Sequence, residues 1–446
     1  SVYLPNIPDV DHRISIASVI ANWYQDLAEI LRGQGRNDEA DKFDDKLVSI
    51  RPKSIKKNEL RIAKQLGSVF DAQILARDCM AQARLLRDRR KPEEAIVYYR
   101  KAIDAYKELT AQSPSVVYFQ TAVLELGLEL VDFLSAQPEG KEEAHALLAT
   151  LSTEIRDRDR SHDGGKEIDV KFLVALCNRA RNSRYSKNDL AEAELPIREA
   201  LALAKMMTDA ELARDPAQDA LQWCHHNLGD ILLHLQNNPA EAAGHYQLAR
   251  SIQERTIAVR GINSGLASEL GWSCQNGATA LLRTKPDAKL VSVAVRGVEM
   301  REYLVAQTPS DGARAALLST LSILGEALSW VSDADGADLE KAASLADALT
   351  QPSPGHGKSW RILGIVRYRQ GEYAEAVKAL QSSVAAKPDD PAIDQLFLAM
   401  ALAKTSQIDE ARRQLDTARE WVKQNRPAHA GFRSLVEQAA AVVTGE

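Results

Sequence analysis

The stretch GKSWRILGIVRYRQGEYAEAVKALQSSVAAKP, residues 357–388, carries two apolar helical stripes on either side of a turn signal. Trp360, Leu363 and Gly364 share one helical face, and Ala376, Leu380 and Ser383 share another, at three-, four- and seven-residue spacings. Gly364 stands inside the first stripe, where glycine costs roughly 1 kcal/mol against alanine. Close approach of a second helix is the packing reason for such a residue. The stretch reads as one antiparallel helical hairpin.

Its Glu375-Ala376 pair recurs at Glu39-Ala40, Glu94-Ala95, Glu143-Ala144, Glu192-Ala193, Glu241-Ala242 and Glu410-Ala411. From Ala95 through Ala144 and Ala193 to Ala242 every step is 49 residues, and Ala376 to Ala411 is 35. Each pair sits where a second helix begins. Asp38 or Asn188-Asp189 can cap there, Pro92 and Pro239 suit a first helical turn, and the Glu meets the positive end of the helix dipole. The first helices have their own marker in Gly127, Gly229, Gly277, Gly325 and Gly364, with 48 residues from Gly229 to Gly277 and again to Gly325. Glu254, Ile257-Ala258, Leu270 and Gly277 map at the same shift onto Glu302, Val305-Ala306, Leu318 and Gly325, which implies internal duplication.

Trp360, Leu363-Gly364, Ala376, Leu380 and Pro388 together resemble the tetratricopeptide repeat (TPR), W-x-x-L-G-x-x-Y…A-x-x-x-F…P, with Arg367 in place of its Tyr. The next unit (Leu398-Ala399, Leu402, Ala411, Leu415, Ala418) and an early one (Leu27-Ala28, Leu31, Ala40, Leu47, Pro52) keep the spacing with weaker letters. The long-period units between them are similar to the extended TPR arrays attached to bacterial serine/threonine protein kinases. The resemblance implies an all-α fold: a right-handed α-solenoid of about nine antiparallel helical hairpins, capped by a helix near 428–443. Two regions are expected, 1–350 with long-period hairpins and 356–446 with two standard-period hairpins and the capping helix. Loops are expected at Pro352-Ser353-Pro354-Gly355 and from Asp157 to Gly165, a hinge at 351–357, and a kinked or delayed helix at Pro196.

Composition narrows the function classes. A hydrophobic fraction of 45% with 26% charged residues can bury a large core, and 5% aromatics leave that core to Ala and Leu. The formal charge of −6 argues against nucleic-acid binding, which wants a basic excess. Cys79, Cys177, Cys224 and Cys274 lack zinc-knuckle or redox spacing and read as buried thiols in a cytoplasmic setting. No apolar run is long enough for membrane insertion, and Ser1-Val2-Tyr3-Leu4-Pro5 has no signal-peptide character. Opening without Met, the chain reads as a piece of a longer protein.

Motifs that invite an enzymatic reading fail on their neighbours. His356-Gly357-Lys358-Ser359 resembles the end of a phosphate-binding loop, but Pro352 replaces the required Gly and no strand pattern precedes it. Ser54-Ile55-Lys56-Lys57 has S-x-x-K spacing without partner motifs. Cys224, His225, His226, His234 and His245 are the densest possible metal ligands, yet at most one of the first three can meet His234 or His245. No catalytic residue, metal or cofactor is expected.

The TPR resemblance also assigns ligand-facing positions on the first helices: Arg77, Arg84 and Arg87; Asn178, Asn182 and Tyr185; Trp223, His226 and Asp230; Lys358, Arg361 and Tyr368. The expected function is a scaffold or adaptor that binds a protein or peptide in the groove, an acidic one at the Arg77 stripe. The alternative is the regulatory or substrate-recruiting arm of a larger enzyme, such as a bacterial protein kinase. A groove binder of small molecules or nucleic acid and a self-associating solenoid are further outcomes.

Overall fold

The computed structural model describes residues 12–63, 68–137, 139–157, 163–186, 189–284, 286–350, 357–388, 390–427 and 430–445. Twenty α-helices and one π-helical turn make up its regular structure, with no strand among the described residues. The chain divides into two compact units, residues 1–220 and 221–446.

Helices follow one another as hairpins. They are α1 (His12–Gly33) with α2 (Asn37–Ala63), α3 (Val69–Asp88) with α4 (Pro92–Gln112), and α5 (Val117–Ser135) with α6 (Lys141–Asp157). Next come α7 (Asp163–Ser186) with α8 (Glu194–Ala204), then the single turn α9 (Asp209–Leu212). Helix α10 (Asp215–Asp230) runs into the π-helical turn Ile231–Leu235 and pairs with α11 (Pro239–Arg260). Then α12 (Ser264–Leu282) pairs with α13 (Ala288–Gln307), and α14 (Asp311–Trp330) is followed by α15 (Gly336–Thr350). The last pairs are α16 (Gly357–Arg369) with α17 (Tyr373–Ala385) and α18 (Ala392–Lys404) with α19 (Ile408–Asn425), before α20 (Ala430–Thr444). This alternation of first and second helices with a closing helix is what the repeat spacing implied. In the second unit α12 packs on α14, α14 on α16, α16 on α18, and α13 on α15; in the first, α5 packs on α7 and α6 on α8. Each unit is thus a double layer, first helices in one and second helices in the other. One continuous core runs from Ala267 to Val443.

The alanine register is a packing register, because Ala40, Ala95, Ala144, Ala193, Ala242, Ala376 and Ala411 are all fully buried. The glycine register is uneven. A Cβ on Gly364 would lie 2.4 Å from Leu380 Cγ, and on Gly229 2.8 Å from the Tyr246 ring, but on Gly325 the nearest atom is 3.4 Å away. Caps match the local chemistry: Ser68 and Asp71 form a capping box on α3, Pro92 and Pro239 open α4 and α11, and Asn263 and Ser310 cap α12 and α14.

Helix α2 runs through Pro52 to Ala63. Glu192-Ala193 stands ahead of its helix rather than inside it: Asp189 Oδ1 accepts from the Glu192 amide in a turn, and α8 starts at Glu194 with Pro196 in its first turn. The loop at 352–355, most of the 157–165 break, Asn188 and most of the proposed hinge lie outside the described residues. All four cysteines are buried and outside any disulfide; burial pushes the Cys79 thiol up to about 12 and that of Cys274 to about 11. No helix among the described residues is long and apolar enough to cross a membrane.

Candidate binding grooves

On α3 the three arginines differ in what they are free to do. Arg84 Nε donates to Glu129 of α5 at 3.1 Å, with a second guanidinium nitrogen on the other carboxylate oxygen. Arg87 reaches the same carboxylate at 3.5 Å, donates to Tyr99 Oη at 3.2 Å and pairs with Asp88 at 2.9 Å. Tyr99 Oη donates to Glu129 as well. Hydrogen bonding to Glu129 raises Arg84 above its usual value, and burial, chiefly, lifts Tyr99. These groups bind one another.

Arg77 is exposed and forms no hydrogen bond or ion pair among the described residues. It lines two recesses. One, of about 580 Å³ between α1 and α3, also holds Asp26 and Glu29. The other, of about 340 Å³ between α3 and α5, is walled by Phe70, Ile74, Tyr106, Val116 and Tyr118 and contains no acid. Phe70 and Tyr118 are 65% and 59% exposed, far more than core aromatics allow. This apolar rim was missed in the sequence. Its signal was large apolar residues, Val69-Phe70 and Val116-Val117-Tyr118, in first helical turns where polar residues are usual.

Asn178, Asn182 and Tyr185 lie on one exposed face of α7, and neither Asn side chain is engaged among the described residues. The Arg184 guanidinium stands 5.5 Å from the Tyr185 ring centroid. Beside them Arg179 is buried against Asp132 and Ser135 of α5, which ties α7 to the preceding hairpin.

On α10 the assigned residues face inward. Asp230 is buried and accepts from Tyr246 Oη at 2.6 Å and Asn276 Nδ2 at 2.9 Å. His226 Nδ1 lies 2.9 Å from Ser273 Oγ, its Nε2 3.6 Å from Asp230. Trp223 is half-buried. His225 turns to the opposite side and meets His245, Nδ1 to Nδ1, at 2.9 Å. The structure therefore joins one adjacent histidine to His245, and His234 points to solvent. No group of three or more His, Cys, Asp or Glu suited to a metal occurs among the described residues.

On α16 Lys358 is exposed, whereas Arg361 makes a two-pronged bond to fully buried Asp394 at 2.8 and 2.6 Å. Tyr368 is half-buried between Tyr373 and Phe397. All three face recesses beside α20. Of the enzymatic motifs, Ser54 is buried and donates to Asp78 at 3.1 Å, and Ser359 is buried at the start of α16. His356 lies outside the described residues.

Residues 83–110, 333–391 and 367–435 match three tetratricopeptide-repeat families, so the chain contains TPR units in both halves. No curated protein shows significant sequence similarity to it. Similar solved structures include the RpL4 assembly chaperone Acl4, at 16% identity over 60% of this chain and 96% of that one, with a TM-score of 0.37. A TPR protein of Thermus thermophilus is 21% identical over 49% of this chain and 98% of its own, TM-score 0.28. A circular tandem repeat protein is 15% identical over 97% and 99%, TM-score 0.37.

Proposed function

We propose that the chain is a protein-interaction scaffold whose first unit binds an extended acidic segment at Arg77. The observation that carries this reading is an uncommitted guanidinium at the mouth of an acid-free apolar recess. A partner carboxylate can take both prongs of Arg77 while an adjacent apolar side chain enters among Phe70, Val116 and Tyr118. Arg84 and Arg87 shape the neighbouring wall through Glu129 instead of contacting the ligand. The open amides of Asn178 and Asn182, further along the unit, suit the backbone of an extended peptide. Binding rather than catalysis is supported by the TPR matches and by the internal use of Ser54 and Asp230.

The test is to pan a random peptide library on the full chain and on Arg77→Ala. The wild type should enrich peptides with Asp or Glu beside an aromatic or aliphatic residue. Arg77→Ala should weaken a selected peptide by about tenfold, the worth of one charge-assisted hydrogen-bond pair. Enrichment of the same peptides with equal affinity on both proteins would refute the site.

A further inference from the structure

Helix α20 lies where a ligand of the second unit would lie. Its buried side chains Phe432, Leu435, Ala439 and Val443 recur at three, seven and eleven residues along one helical stripe. A helix that only closed the stack would need to cover α18 and α19, which α20 does contact. It also reaches further back. The Phe432 ring stands edge-on to Trp330 at the end of α14, two hairpins earlier, with centroids 5.1 Å apart, and lies 6.0 Å from Trp421 of α19.

Gly431, Ser434, Leu435 and Gln438 wall a recess of about 630 Å³ together with Ser329, Tyr368 and Phe397 among others. Phe432 walls a second, of about 470 Å³, with Ser322, Lys358 and Arg361. Ser322 and Ser329 stand three residues before and four after Gly325 on α14; Arg361 and Tyr368 hold the same places around Gly364 on α16. These are the positions that the repeat resemblance assigns to a ligand, so α20 faces the ligand side of two successive first helices. Its attachment there is apolar. Among the described residues no hydrogen bond or ion pair joins an α20 side chain to another element, whereas α16 is pinned to α18 by Arg361 on Asp394, and α17 to α18 by Ser383 on Asp394.

We propose that α20 is a resident self-ligand, and that the partner of the second unit is an amphipathic helix presenting aromatic and aliphatic residues at the same three- and seven-residue spacing, which displaces it. This deepens the scaffold reading and rests on it, but it uses a surface separate from Arg77. Helix-in-groove recognition gains its affinity from such anchors, and a burial-only attachment lets the resident helix leave without stranding a buried charge.

The probe is a fluorescein-labelled peptide of residues 427–446 titrated into the full-length chain. Phe432→Ser/Leu435→Ser should bind it at least tenfold more tightly than wild type, whose own α20 competes. Adding Trp330→Ala and Tyr368→Ala to that variant should remove the gain. Equal affinity for wild type and the double variant overturns the proposal. Amide hydrogen exchange on the unmodified chain gives a second reading that needs no variant: α20 amides should exchange at least tenfold faster than those of α18, and exchange no faster than α18 overturns it as well. Arg77→Ala should leave probe binding unchanged, so failure at the acidic-peptide site and failure of the self-ligand are separately visible.

Discussion

At Gly364 a Cβ would sit 2.4 Å from Leu380 Cγ and 3.2 Å from the Leu380 backbone nitrogen; at Gly325 the nearest atoms would be Arg361 Cδ at 3.4 Å and Ile362 Cγ1 at 3.7 Å, both side-chain atoms. The two residues share a place in the repeat yet answer to different physics. Replacing either by Ala removes the glycine penalty of roughly 1 kcal/mol in a helix interior. At Gly364 the gain is outweighed by overpacking against backbone, typically about 1–3 kcal/mol. Gly364→Ala should therefore lower the urea midpoint, and Gly325→Ala should leave it unchanged or raise it; equal shifts would show that the crossing is not what retains Gly364. The crossing was legible in the sequence as a recurring glycine, but its tightness was not, because tightness depends on whether Leu380 or Arg361 arrives from another helix. Arg84 shows the same limit. Its place on the ligand-facing stripe could be counted, whereas its commitment to Glu129, 45 residues away, could not.

Hairpin turns show what a register in sequence can encode at the scale of an element. Gly35, Arg90, Asn237, Gly371 and Ser406 all have positive φ, and each precedes by five residues the buried Ala of the second helix. A left-handed residue lets the chain reverse tightly enough for that Ala to reach the first helix. Three of the five are not glycine, and a non-glycine residue there costs roughly 1–2 kcal/mol. Ser406, whose side chain forms no hydrogen bond among the described residues, is the clearest case. Ser406→Gly should raise stability by about 0.5–1 kcal/mol once the larger unfolded-state entropy of glycine is subtracted, seen as a higher melting temperature by circular dichroism; a lower one would mean that Ser406 is not strained. Pairing of neighbouring helices was readable from such turns. Pro52 carries the usual interior-proline cost of roughly 3 kcal/mol, yet α2 continues and buries Ile55 beyond it. The seat of α20 was not readable, since Phe432 meets Trp330 roughly 100 residues back in the chain and no local spacing records such a contact.

For the whole molecule, 56 basic against 62 acidic residues set a long-range field that mildly repels anions, while Arg77 offers short-range attraction. The two separate in their response to salt. A ligand held by one exposed guanidinium and an apolar recess should lose only the screened part of a single pair, on the order of 1 kcal/mol or less. Affinity of a selected acidic peptide should thus fall by about fivefold or less between 50 and 500 mM NaCl, and what remains should come from Phe70 and Tyr118. In Arg77→Ala even this slope should vanish, leaving a weak, salt-independent apolar contact. A polyanion bound along the unit would behave differently, since six or more neutralised phosphates cost on the order of a thousandfold or more over a smaller salt range. Isothermal titration of the peptide and of a single-stranded oligonucleotide across that range decides between them: a shallow slope for the peptide and no measurable oligonucleotide binding fits one cation beside an apolar recess, and a steep slope for either ligand would mean that a wider basic surface, not Arg77, is the binding element.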